Sequence, residues 1–292
     1  MKKWNLIIDI AKCEECNNCF LACKDEHIDN DFSPYSLAQP RHGHRWIDIQ
    51  TRERGQFPLI DVAHLPLLCM QCDDAPCIKR AKDGAVYKLE NGIVVIDPVK
   101  AKGQRDIVKS CPYGAIWWNE EKQVPQKCTM CAHLLAEGWK EPRCVQSCPT
   151  GAMRIMNVEA SEMARIVKQE NLEVLHPEYK TSPRVYYRNL YRYLKCFIRG
   201  SVAFEKEGTV DCAEGAQVAL YKGSTKIGET RADNYGDFKF DNLDENSGEY
   251  RLEIGYGTFE RKTVAVELTN SINAGIILFS LPKAARGSNV VH

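Results

Sequence analysis

Cys13-Glu14-Glu15-Cys16-Asn17-Asn18-Cys19-Phe20-Leu21-Ala22-Cys23 decides how this chain reads. Its spacing is C-x2-C-x2-C-x3-C. In chains that carry two iron–sulfur cubes, three thiolates two residues apart hold one cube, and the fourth, three residues on, serves the other. The stretch therefore predicts a partner stretch elsewhere. A zinc ribbon uses pairs of C-x2-C rather than a triple plus a fourth. A disulfide framework belongs to short secreted chains, whereas this one has 292 residues and 14 cysteines, all but Cys196 and Cys212 lying between Cys13 and Cys148.

Outward from that stretch the other cysteines fall into motifs. One is Cys69-x2-Cys72-x4-Cys77; another is Cys128-x2-Cys131-x12-Cys144-x3-Cys148. Cys111-Pro112-Tyr113-Gly114-Ala115 and Cys148-Pro149-Thr150-Gly151-Ala152 are an internal repeat, in which proline stops a helix and glycine allows the turn into a strand. The ferredoxin rule that each motif lends its last cysteine to its partner's cube gives three foursomes. They are Cys13, Cys16, Cys19 with Cys148; Cys128, Cys131, Cys144 with Cys23; and Cys69, Cys72, Cys77 with Cys111. A complete four-motif chain would need ligands also at Ala81, Ala101, Gln104 and Ile107. All four positions of that one cluster are lost together, and no orphan thiol remains. The expectation is three 4Fe–4S clusters.

Local patterns place the motifs. Trp4 to Ile10 reads as a strand entering the first loop, and Phe20 to His27 as a short helix leaving it. Residues 30–66 hold no motif cysteine and read as an insertion, irregular in part, with a strand from Trp46 to Ile49. His42 and His44 lie in it, and two histidines in a polar loop are more often surface contacts than ligands. Asn91-Gly92 marks a hairpin between Gly84–Tyr87 and Ile93–Ile96. Strands are expected at 116–118 and 153–156, and a helix at 159–171 with Ala160, Met163, Ile166 and Val167 on its packed face. The Tyr- and Arg-rich run 183–194 reads as a domain or subunit interface. From about Phe197 the pattern changes to short alternating runs separated by turns, with strands expected near 197–205, 216–221, 225–230, 237–243, 249–254, 258–268 and 274–281. Seven short strands predict a β-sandwich. Cys196 and Cys212 stand outside any cluster spacing. The fold class is thus α+β: a doubled ferredoxin-like domain at 1–195, an all-β sandwich of Ig-like or transthyretin-like kind at 196–283, and a loose tail at 284–292.

Composition excludes several functions. Lys+Arg and Asp+Glu both number 39, so the formal charge is zero and the basic footprint of a nucleic-acid binder is missing. No apolar run approaches the roughly 18 residues of a membrane span. The first ten residues are interrupted by Asp9 too early for a signal peptide. The chain reads as soluble and cytoplasmic. No nucleophile–base pair, phosphate-cradling glycine loop or open metal site is visible.

The doubled motif set, with Cys128-Thr129-Met130-Cys131-Ala132-His133 and Cys111-Pro112-Tyr113-Gly114-Ala115, resembles the electron-transfer subunits of molybdopterin oxidoreductases of the dimethyl-sulfoxide-reductase type. That resemblance covers residues 1 to about 195. The absent fourth cluster, the C-terminal strands, Gly43-His44-Arg45-Trp46 and Pro183-Arg184-Val185-Tyr186-Tyr187 are similar to the small subunits of its transhydroxylase branch. The resemblance implies a heterodimer with a large subunit carrying molybdenum and two pterin guanine dinucleotides. It also implies a reaction, held in that partner, that moves a hydroxyl group from pyrogallol to give phloroglucinol, so that this chain is a non-catalytic subunit. Other expectations stay open: the wire of a catechol dehydroxylase or of a respiratory reductase, or a free polyferredoxin with a docking module.

Overall fold

The computed structural model describes residues 1–57 and 59–280. The expected tail at 284–292, and the last residues of the expected second domain, lie outside them. The chain divides into two compact units: one of 1–52 and 63–193, the other of 53–62 and the chain from 194 on. No helix among the described residues is long and apolar enough to cross a membrane.

The first unit is organised by Lys3–Asp9, the central strand of a three-stranded sheet. Met153–Val158 pairs with it antiparallel, Leu6 opposite Ile155 and Ile8 opposite Met153. Val185–Arg188 pairs with it parallel, Ile8 opposite Tyr187. Leu6, Ile7 and Ile8 are all buried, because a central strand covered on both faces reads as a continuous apolar run. Met163 and Ile166 of the helix Ala160–Gln169 cover the Ile7 face. Part of the run read as an interface is interior: Tyr187 is fully buried with its hydroxyl donating to Pro66 O, and Arg184 is buried against Asp73, while Tyr186, Tyr191 and Arg192 are half-buried. Pairing to Lys3–Asp9 is what internalises it, and a four-residue strand carries too short a pattern to announce that.

Short elements make up the rest of this unit. Val86–Lys88 and Val94–Ile96 form the expected hairpin, and Trp117–Asn119 pairs with Val124–Gln126. Asn18–His27 packs on Arg143–Gln146, and Pro76–Arg80 on Asp106–Lys109. The insertion is more regular than its prolines suggest. Ile47–Gln56 and Leu59–Leu68 form a long two-stranded ribbon.

The second unit holds two four-stranded sheets. In one, Cys196–Lys206 pairs with Thr209–Cys212, Asp237–Leu243 and, in parallel, Ile272–Ser280. The other runs Thr225–Arg231, Gln217–Lys222, Gly248–Gly255, Lys262–Leu268. Ile198, Val202 and Phe279 from the first sheet share one core with Val218, Leu220, Leu252 and Ile254 from the second, each at most 1% exposed. Burying each such side chain contributes about 1.5–3 kcal/mol. Eight strands form between Cys196 and Ser280 rather than the seven expected. The extra one, Thr209–Cys212, is exposed at every residue and so has no apolar alternation. Its signal is the turn Glu207-Gly208, both with positive φ, which joins it to Lys206 as a two-residue hairpin loop. Residues 53–62, the ribbon tip, belong to this unit as well. Gly55 is required there: φ is +95°, and a Cβ would stand 2.6 Å from Leu59 O and 2.7 Å from the Phe197 ring.

Candidate metal centres

The three C-x2-C loops share a backbone device. The residue just before the second cysteine is left-handed in each: Glu15 (φ 55°), Gln71 (φ 48°) and Met130 (φ 55°). For residues with a Cβ this conformation costs roughly 1–2 kcal/mol. It turns an amide toward the preceding thiol. Met130 N–H donates to Cys128 Sγ at 3.3 Å, and the Glu15 amide does the same for Cys13. Consecutive inward amides of this kind make an anion-binding concavity. Nothing in the residue types Glu, Gln and Met marks a left-handed position, so this was not legible from the sequence.

The Cys-Pro-x-Gly-Ala repeats act at the other side of each site. Gly114 N–H donates to Cys111 O at 3.2 Å and Gly151 N–H to Cys148 O at 3.3 Å, closing a turn at which both glycines have positive φ. The turn folds its own amides onto the sulfur. Tyr113 and Ala115 donate to Cys111; Thr150, Ala152 and Met153 donate to Cys148, joined by the Thr150 hydroxyl.

Topology gathers the thiols into groups. Lys3–Asp9 runs into Cys13, Cys148 leads into the antiparallel Met153–Val158, and Asp9 N–H donates to Ala152 O at 2.8 Å. Cys148 therefore stands in the electrostatic field of Cys13 and Cys19, with Cys16 alongside. The packing of Asn18–His27 on Arg143–Gln146 sets Cys23 beside Cys128 and Cys131, and Cys144 beside all three. The packing of Pro76–Arg80 on Asp106–Lys109 brings Cys77 to Cys111, and these two line one cavity with Cys69 and Cys72. Among the described residues no three His, Cys, Asp or Glu side chains converge at single-ion spacing. A tetrahedral zinc at about 2.3 Å from each sulfur would draw the sulfurs to about 3.8 Å.

The donor chemistry fits a polynuclear iron–sulfur group. Burial pushes the thiol pKa up to about 11 at Cys19, Cys77 and Cys128 and to about 12 at Cys72 and Cys131. Cys23 and Cys144 stand well above the ordinary value for the same reason. Left alone these thiols hold their protons; a bound metal supplies the positive charge that burial withholds, and a coordinating thiol loses its proton outright. At Cys148 burial also pushes upward, but the hydrogen bonds from Thr150, Met153 and Ala152 outweigh it and the thiol is lowered. Buried donors without conventional partners add to the fit. Gln39 has both amide ends unsatisfied yet lies against Cys23, and the Thr129 hydroxyl, inside the Cys128–Cys131 loop, is also unpaired. Thr181 hydrogen-bonds Cys72 and, at 2.7 Å, the Tyr113 hydroxyl.

Other sequence candidates lie elsewhere. His44 is buried with Nε2 donating to Trp118 O at 3.0 Å, and His42 joins no thiol group. Cys196 is buried in the second unit's core and Cys212 is exposed on the extra strand. At the four positions where a further foursome would stand, Ala101 and Ile107 are packed in the interior. Gln104 is spent on the backbone there, accepting from Lys82 N–H at 2.9 Å and donating to Lys100 O at 2.8 Å. Two residues that sequence reasoning passed over, Gln71 and Lys127, are buried between the Cys69 and Cys128 groups. Burial pulls the Lys127 ammonium down, and the charges of Cys69, Cys77 and Cys128 more than restore it. The only available signal was its place directly before Cys128.

Comparison with known proteins extends this picture. A family model described as a 4Fe-4S dicluster domain matches residues 60–158. The pyrogallol hydroxytransferase small subunit of Pelobacter acidigallici is 44% identical over 281 residues, 95% of this chain and 99% of that one. A subunit of tetrathionate reductase from Salmonella typhimurium is 33% identical over 64% of this chain and 73% of its own length. A subunit of sulfite dehydrogenase from Allochromatium vinosum is 31% identical over 64% of this chain and 83% of its own.

Proposed function

This chain belongs to the family of the pyrogallol hydroxytransferase small subunit, and from that premise we propose that it is the iron–sulfur electron-transfer subunit of a heteromeric molybdopterin enzyme that transhydroxylates pyrogallol to phloroglucinol. In this reading residues 1–195 are a doubled ferredoxin-like domain and the β-rich region from 196 is a sandwich of Ig-like or transthyretin-like kind. Cys13, Cys16, Cys19 and Cys148 hold one 4Fe–4S cluster; Cys23, Cys128, Cys131 and Cys144 a second; Cys69, Cys72, Cys77 and Cys111 a third. When bound, each cluster supplies a carrier of one electron. The chain's own residues bind the iron through thiolates, exclude water by burial, and donate amide and hydroxyl hydrogen bonds to sulfur, which together with charge set the potential.

The observation that carries this reading is the economy of the thiols. Twelve cysteines fall into three groups of four with none left over, so each iron of a cube has its own cysteine and none keeps an open position for a substrate. The organic chemistry then belongs to a large partner subunit with molybdenum and two pterin guanine dinucleotides. A cytoplasmic setting is part of the same reading. The test is anaerobic purification of the complex, iron and sulfide analysis, and assay of the separated chains. About twelve irons per copy of this chain are expected, with turnover only when the partner is present. About eight or sixteen irons, or turnover of a polyhydroxybenzene by this chain free of molybdenum, would overturn the reading.

A further inference from the structure

A closed ring of hydrogen bonds lies between two of the thiol groups. Lys127 Nζ donates to Val94 O and, at 3.1 Å, to Cys128 O. Gln71 Nε2 donates to the same Cys128 O at 3.0 Å, and Gln71 Oε1 accepts from Val94 N–H at 2.8 Å. Both side chains are buried: Gln71 is 0% and Lys127 2% exposed. The ring joins two of the three C-x2-C loops, through Gln71 from Cys69–Cys72 and the backbone of Cys128 from Cys128–Cys131. It ties both to the strand Val94–Ile96. Lys127 also lines the cavity enclosed by Cys69, Cys72, Cys77 and Cys111.

A buried lysine needs compensation, because removing an ammonium from water is costly. Among the described residues no carboxylate pairs with Lys127; its polar partners are two carbonyls and the neighbouring thiols. A cube held by four thiolates is anionic, so two such groups on either side of one ammonium supply what carboxylates do not. The charge is what the arrangement adds.

Resting on the cluster assignment proposed above, we infer that Lys127 is a positioning residue for electron transfer. Its fixed positive charge is shared by the cluster of Cys69, Cys72, Cys77 and Cys111 and the cluster of Cys23, Cys128, Cys131 and Cys144. It stabilises the added electron on either and raises both reduction potentials, leaving the cluster of Cys13, Cys16, Cys19 and Cys148 outside its reach. Net charge and hydrogen bonding at sulfur are the recognised determinants of such potentials, and a charge between two carriers acts on both at once. Low local dielectric makes the effect strong where water is absent. Val94 O and Cys128 O hold the ammonium at one place, and Gln71 braces both of those residues, so the two sites feel the same charge.

The experiment is an anaerobic redox titration of the intact complex with its partner, followed by electron paramagnetic resonance, for wild type, Lys127→Met and Lys127→Arg. In Lys127→Met the ratio of reduced to oxidised form should fall at least about tenfold for two clusters at fixed potential, a shift of about 59 mV for one electron. The third cluster should stay in place, and Lys127→Arg should restore most of the loss. If all three clusters stay where they are in the wild type, or all three move together, the inference is overturned. Should Lys127→Met fail to assemble, Lys127→Gln keeps hydrogen-bonding capacity without charge and carries the same comparison. Iron content separates the two readings: a wild-type complex without three clusters overturns the cluster assignment, whereas three intact clusters with unmoved potentials overturn only the role of Lys127.

Discussion

The two units solve the same problem with different materials. From Cys196 to Ser280 the chain forms strands of up to 11 residues, and their inward side chains, with three alanines from the turns, make one apolar core of 18 buried residues. In the first unit the elements around the cysteines are small. Pro76–Arg80 has 5 residues, and Asp106–Lys109 and Arg143–Gln146 have 4 each. Helices this short have no independent stability in water. Their buried side chains are in large part the thiols themselves: Cys77 in the first, Cys144 in the third. The first unit has apolar residues of its own in its interior, Leu6, Ile8, Leu65 and Val95 among them. The segments that carry the thiols bury little else, however, and there metal binding adds what leucine and phenylalanine supply in the second unit. The difference teaches where each unit is vulnerable.

Removing iron is the sharpest way to break the comparison. In small metal-held domains binding is worth on the order of 10 kcal/mol of folding free energy. On chelation under reducing conditions, amides around 13–23, 69–77 and 111–148 should lose exchange protection, while the strands Gln217–Lys222 and Gly248–Gly255 keep theirs. All 5 tryptophans, the last at Trp139, lie in the first unit, so their emission should report its loss alone. Simultaneous loss of protection in both units would show that the second depends on the clusters too.

A single thiol gives the next largest effect. Cys111 has no neighbouring motif of its own to serve and lines the cavity with Cys69, Cys72 and Cys77. Replacing it by alanine should cost about four irons or convert one cluster and leave two. Three unchanged cluster signals from Cys111→Ala would break the ligand set.

Much of this was legible in the cysteine spacing, and the reason is physical. The x2 and x3 spacing, read with the ferredoxin rule that a motif lends its last cysteine to its partner, let the thiol groups be written down before any fold was known. The strands that deliver the motifs were legible too, since Leu6 to Ile8 and Met153 to Met156 are short apolar runs next to a cysteine loop. What escaped was whatever depends on pairing across the chain. Tyr187 and Arg184 read as part of a domain or subunit interface because their partners, Pro66 and Asp73, are more than a hundred residues away. Thr209–Cys212 escaped because an exposed edge has no pattern. Lys127 escaped because a lysine in a sequence reads as solvent-facing, and only the folded structure shows it buried between sulfurs.

In the second unit the corresponding weak point is apolar. Leu252 is fully buried at the centre of the core. Truncation to alanine should cost about 3 kcal/mol, the lost transfer energy plus a cavity, read as a lower unfolding midpoint of that unit. Iron content should not change. A Leu252→Ala variant that also lost iron would mean that the two units do not stand on separate supports.

The smallest effect is expected where the second unit departs from its own apolar rule. Arg54 has a fully buried guanidinium, paired with Asp61 at 2.6 Å and Asp241 at 2.9 Å. Lys239 reaches Asp61 at 2.9 Å and Asp241 at 2.8 Å. Burial by itself pushes the Asp61 carboxyl up, but the hydrogen bonds and charges of Lys239 and Arg54 outweigh that and hold it well below the usual carboxylate range. A carboxyl whose pKa is depressed on folding stabilises the native state fully above its unfolded value of about 3.9, and the contribution fades as pH falls through the folded value. Asp61→Asn should therefore lower the stability of this unit by about 2 kcal/mol at neutral pH, the worth of a charge-assisted hydrogen bond. The gap to wild type should hold down to about pH 4 and close below it. Cys196, buried in the same unit, offers a local probe: its labelling by a thiol reagent active in acid, read by mass spectrometry, follows opening of this unit whatever the clusters do. A gap that persisted undiminished at about pH 2 would mean that Asp61 acts here through packing rather than through its charge.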